Sequence, residues 1–146
     1  MEQVSFSALS EQIVRESSDA IVFSDGDGII RLWNRGAEEM FGYPAAEALG
    51  QSLDLIIPER LRARHWEGYR RVMATGVSRY GKDCLSAPGL RRDGGRISLE
   101  FSMVIVRGAD GAVLGTAAIM RDVTARWEKE KDLKERLAAL EAALTP

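Results

Sequence analysis

Between Arg96 and Val106, the residues Ile97, Leu99, Phe101, Met103 and Ile105 alternate with Ser98, Glu100 and Ser102. In an extended chain successive side chains point to opposite faces, so this segment has an apolar side and a polar side. It predicts a half-buried strand, and a half-buried strand needs a sheet whose apolar face is covered by another layer.

The rest of the chain supplies that layer. Ala20–Ser24 and Ile29–Trp33 are compact β-type runs joined by Asp25-Gly-Asp-Gly28, a tight hairpin turn. Asn34 then reads as the N-cap of a helix over Arg35–Phe41 that Gly42 ends. A short turn runs from Pro44 to Leu49, and Pro58 opens the longest internal helix, Glu59 to about Ala74, closed by Thr75-Gly76. Val77–Leu85 is a candidate strand and Ser86–Gly89 a looser stretch. Arg92–Gly95 and Gly108–Gly111 are turns flanking the alternating strand, and Ala112–Met120 is the last strand. The order predicts an α+β domain: one antiparallel sheet of about five strands, with helices on one face.

Both ends differ from this body. Phe6, Leu9 and Ile13 share one side of a short amphipathic helix ahead of it, giving a division into 1–18, 19–123 and 124–146. In the last segment Leu133, Leu137, Leu140 and Leu144 recur four, three and four apart, the a/d seam of a coiled coil. That helix either pairs with a second copy or folds back on its own sheet. Two-fold pairing of both terminal helices predicts a homodimer.

Composition excludes much. A net charge of −2 gives no reason to expect nucleic acid, and the arginines between Arg60 and Arg71 are interrupted by acids, as on a solvated helix face. A single cysteine, Cys84, allows no internal disulfide or thiolate cluster and suits a reducing cytosol. No apolar run is long enough for a membrane span, and Met1-Glu-Gln-Val does not open a signal peptide, so a cytoplasmic location is expected. No nucleophile elbow, phosphate loop or paired metal-ligand motif is present, and the carboxylates sit in turns or on helix surfaces. No catalytic residue is assigned; kinase or cyclase activity would reside in another domain.

The stretch Ser24-Asp-Gly-Asp-Gly-Ile-Ile-Arg-Leu-Trp-Asn-Arg-Gly-Ala-Glu-Glu-Met-Phe-Gly-Tyr43 resembles the opening of bacterial PAS sensory domains. Gly50-Gln-Ser-Leu53, Ile57-Pro58, Arg92-Asp-Gly94 and Met120-Arg-Asp-Val-Thr124 match further landmarks of that family in order, over about residues 10–125. The resemblance implies a PAS fold with strand order 2-1-5-4-3 and small ligands held between sheet and helices. It also implies a signal-transduction module relaying its state through the C-terminal helix to an effector domain of a longer protein. Asp122 and Thr124 match the family's junction between last strand and signalling helix; both can cap a helix starting near Ala125.

His65 is the single histidine. Leu61, Tyr69, Val72 and Met73 share its side of the long helix, away from Arg60, Arg64 and Arg71, so the imidazole projects from the apolar stripe. Arg64–Gly76 is similar to the helix of haem-binding, oxygen-sensing PAS domains. That similarity implies haem b with His65 as axial metal ligand, Tyr69 alongside, and Arg71 and Arg79 as propionate partners. The arginine those sensors place above bound oxygen is replaced here by Cys84 or Leu85, so the resemblance points equally to CO, NO or redox sensing. Two other readings make His65 structural, within the helix bundle, or part of another ligand mode. A further class is a cofactor-free dimerisation adaptor whose core is filled by Phe23, Phe41, Phe101 and Met103. A flavin photoreceptor would need a cysteine in a segment that here reads Ile56-Ile-Pro-Glu-Arg60, and Cys84 reads as a small strand residue.

Overall fold

A computed structural model describes residues 3–78 and 84–145. Helix α1 (Phe6–Glu16) precedes strands β1 (Ala20–Asp25) and β2 (Ile30–Trp33). Helices α2 (Arg35–Phe41) and α3 (Ala45–Ala48), a 3-10 turn (Leu53–Ile56) and helix α4 (Glu59–Thr75) follow. Strands β3 (Leu85–Leu90), β4 (Arg96–Arg107) and β5 (Val113–Asp122) lead into helix α5 (Thr124–Leu144). The five strands form one antiparallel sheet in the order β2-β1-β5-β4-β3, the order the family resemblance implied.

Local chemistry explains the predicted elements that hold. The Asp25 carboxylate accepts from the Asp27 and Ile29 amides at 2.9 and 3.1 Å and closes the β1–β2 turn. Gly28 completes that turn at φ 76°, and a Cβ there would lie 2.2 Å from the Trp66 indole, so both conformation and close approach demand glycine. Asn34 caps α2 through the Ala37 amide at 2.9 Å.

On the sheet, Ala20, Val22 and Ser24 of β1 and Ile97 and Leu99 of β4 point towards the helices and are buried. With Ile30, Phe41, Ile56, Tyr69 and Met120 they make the core.

Several expectations are corrected. The described third strand is Leu85–Leu90, whose residues pair with Phe101 to Arg96 of β4. Val77 and Ser78 are not in a strand, and residues 79–83 of the expected Val77–Leu85 strand lie outside the described residues. Pro88 lies inside it, which a strand at the edge of the sheet tolerates because its free side needs no amide donor. Cys84 is exposed and precedes that strand instead of lying on one. Phe23 alternates with buried Val22 and Ser24, so it faces the outer side of the sheet and does not fill the core.

Candidate functional site

Helix α4 crosses the inner face of the sheet, and its apolar stripe carries His65, Trp66 and Tyr69. Trp66 donates from its indole to the Asp54 carboxylate at 2.7 Å while lying on Gly28. Tyr69 is 7% exposed. Its hydroxyl donates to the Asp25 backbone oxygen and shares a hydrogen bond of 2.9 Å with the Ser24 hydroxyl. Thr116, paired with Ser24 across β1 and β5, adds a third hydroxyl to this cluster. Burial pushes the Tyr69 phenol up from its ordinary value, against the Ser24 bond. These contacts fasten the middle of α4 to the β1–β5 seam. Arg107, at the end of β4, holds its far end by donating to Gly76 O at 2.7 Å.

His65 completes a triangle with the two anchored rings, edge-on to Trp66 at 4.7 Å between centroids and tilted on Tyr69 at 5.7 Å, with Trp66 and Tyr69 5.3 Å apart. Its Nδ1 is buried, and among the described residues it has no hydrogen-bond partner. Burial pushes the imidazole below its ordinary value, opposed by the nearby Asp54 carboxylate, so the neutral ring is favoured. A neutral, sheltered imidazole with a partnerless nitrogen is the chemistry an axial metal ligand requires.

Of the other predicted ligand-site residues, Tyr69 lies beside His65 and Arg71 does not. Arg71 is on the solvent side of α4, 3.5 Å from Glu67. Arg79 lies outside the described residues. Ser24, Thr116, Asp54 and Trp66 were missed. Ser24 and Thr116 did leave a trace, as hydroxyls at inward positions of otherwise apolar strands; the partnership of Asp54 with Trp66 left none.

The output junction is knit to β4. Asp122 Oδ1 accepts from the Thr124 amide and hydroxyl at 2.9 and 2.5 Å. The Thr124 hydroxyl in turn accepts from Ser98 N at 2.9 Å, and Val123 N donates to Ser98 O at 2.8 Å. Thr124 is thus the first helical residue and a bridge to the sheet, not a cap for a helix starting at Ala125. Two residues on, Arg126 pairs with Glu100 of β4. A groove of about 600 Å³ runs between β3, β4 and these first turns of α5, with Ser98, Thr124 and Trp127 on its walls.

Comparison with known proteins agrees with this architecture. The PAS fold family model matches residues 14–128. The sensor protein FixL of Bradyrhizobium diazoefficiens is 30% identical over 129 residues, covering 84% of this chain and 24% of its own length. The oxygen sensor protein DosP of Escherichia coli is 25% identical over 122 residues, covering 84% of this chain and 15% of its own. The chain therefore spans less than a quarter of the length of these curated relatives. Among solved structures, the PAS domain of a Colwellia psychrerythraea protein superposes with a TM-score of 0.72 at 24% identity, covering 83% of this chain and 99% of that one. The antiparallel sheet in its 2-1-5-4-3 order, the helices laid across one face and the match over residues 14–128 agree: the chain belongs to the PAS fold family.

Proposed function

We propose that this domain is the sensor module of a signal-transduction protein, that it takes a small ligand or cofactor between α4 and the sheet, and that it relays the change through α5. Its relatives FixL and DosP are named as sensor proteins. The observation that carries the ligand assignment is His65, whose Nδ1 is buried without a partner on the inward side of α4. An unsatisfied buried polar atom costs about 1–3 kcal/mol, so its retention favours a role in binding.

The cofactor we assign is haem b. His65 would hold the haem iron, with Tyr69 one turn away on the same stripe. Arg71 would have to exchange Glu67 for a propionate, and Arg79 would be the second propionate partner. Bound haem would supply the gas- or electron-responsive centre. The chain's own residues would do the rest. Tyr69 holds α4 to β1 and β5. Strand β5 runs directly into Asp122 and Thr124, which tie the first turn of α5 to Ser98. A shift of α4 would thereby reach the helix that carries Leu133, Leu137, Leu140 and Leu144, paired in a homodimer, and through it an effector domain.

Visible absorption of the purified protein before and after adding haemin tests the assignment, beside a His65→Ala variant. A sharp Soret band in the wild type that the variant loses is the expected result. No band overturns haem and leaves a cofactor-free adaptor, whereas a band indifferent to the substitution overturns His65 as the iron ligand and leaves that residue structural. Replacing Asp122 and Thr124 by alanine in the full-length protein should uncouple ligand from output; unchanged coupling refutes the relay.

A further inference from the structure

The segment joining α1 to β1 rests in a seat built by Asn34 and Gly36. The Asn34 Oδ1 accepts from Ile21 N at 2.8 Å and from Ala37 N at 2.9 Å, tying β1 to the start of α2. Its Nδ2 turns the other way, onto the end of α1 and the linker, and meets the backbone oxygens of Val14 at 2.8 Å, Asp19 at 3.0 Å and Ser17 at 3.3 Å. Asn34 itself is buried.

Two residues on, Gly36 is also buried. A Cβ at that position would lie 2.2 Å from Asp19 O and 2.7 Å from Ser18 O. The linker therefore runs directly over a bare Cα, and any side chain would push it off.

The linker is also tied to β5, where the Arg121 guanidinium donates to the Asp19 carboxylate at 3.1 and 3.3 Å, but little else holds α1 itself. None of its residues is buried. Phe6 is 85% and Ile13 66% exposed, so the apolar side faces away from the domain. An ion pair between Arg35 and Glu16 at 3.3 Å is open to solvent. The attachment is confined to the end of α1 and its linker, whereas α4 is held along its length.

We propose that Asn34 and Gly36 form a latch for α1, and that α1 is a releasable interface arm rather than a packed part of the domain. An 11-residue helix is too short to persist alone in water, so opening the latch melts it. Closing it presents Phe6, Leu9 and Ile13 as one preformed surface. That the surface pairs with a second copy of this chain rests on the homodimer reading above. Latch closure and pairing then support each other, because each keeps the same helix folded.

Hydrogen exchange of the whole chain, followed by mass spectrometry, tests the latch with two variants. Asn34→Ser keeps an acceptor for Ala37 N and removes both donors to α1. Gly36→Ala leaves every donor in place and displaces the linker sterically. Each should speed exchange over residues 6–16 about tenfold or more while residues 97–105 and 115–121 keep their rates. Unchanged exchange over 6–16 in Asn34→Ser overturns the latch. So does equal acceleration through the sheet, which would make Asn34 a general stabiliser. Light scattering on the same samples separates the two claims. A monomeric wild type whose α1 still depends on Asn34 refutes the pairing and upholds the latch.

Discussion

Helices α4 and α5, of 17 and 21 residues, both carry apolar residues at intervals of three and four, and they meet opposite fates. On α4 the stripe is spent inside the domain, where Tyr69 and Trp66 pack and each hydrogen-bonds a group on the opposing elements. On α5 no residue is buried, and Leu133, Leu137, Leu140 and Leu144 stay 53 to 84% exposed. The difference lies in how the two are tethered. Helix α4 is held along its length, from Asp54 near its start to Arg107 at its end. Helix α5 is fixed to the sheet near its first residues, by Ser98 and Glu100, and then leaves. A helical period says that a face exists; attachment decides whether the domain itself can cover it.

The comparison can be broken at α4 first. Gly28→Ala strains a residue at φ 76° and drives a methyl into the Trp66 indole. It should cost about 3 kcal/mol of unfolding free energy in urea. A loss under about 0.5 kcal/mol would mean that Trp66 is not anchored on the hairpin. Tyr69→Phe removes one buried hydroxyl and the partner of the Ser24 hydroxyl, while the Asp25 carbonyl keeps the Gly28 amide, for about 1–2 kcal/mol by the same measurement. On α5, Leu137→Ala should change the unfolding of dilute protein by less than about 0.5 kcal/mol while weakening self-association in sedimentation. If it costs as much as Tyr69→Phe at a concentration where the protein is monomeric, α5 is packed on its own domain and the contrast collapses.

The smallest effect is expected at the junction. Arg126 holds the Glu100 carboxyl below its ordinary value of 4.5. A depressed carboxylate contributes above its unfolded value and stops contributing as pH falls through the folded one, so the tie should loosen below about pH 4.5. The Arg126 guanidinium resonance should follow that titration by NMR and lose it in Glu100→Gln. A resonance that still moves would place the acid sensitivity elsewhere.

Much of the fold was legible because it is local. The Asp25–Gly28 turn, the Asn34 cap, the Pro58 start and Gly76 end of α4, and the alternation from Ile97 to Ile105 are each decided within a few residues by backbone conformation and side-chain period. The errors fell where partners are distant. Pro88 argues against a strand until the neighbouring β4 is known to leave its free edge unpaired. Phe23 looked like core because it is aromatic, yet the pleat that buries Val22 and Ser24 turns it outward. Thr124 looked like a cap, yet its acceptor is engaged by Ser98, 26 positions earlier in the chain.

The sequence by itself determined most of the elements, their order and the inward direction of His65, since each follows from short-range sterics and the periods of strand and helix, while its motifs carried the family resemblance. Only the tertiary structure decided that the Nδ1 of His65 is left without a partner. It alone brought Tyr69, Ser24 and Thr116 together, and it alone ran the linker of α1 over Gly36. Those facts depend on which atoms remain unpaired, or unspaced, after elements far apart in the chain have packed, and no local pattern records that.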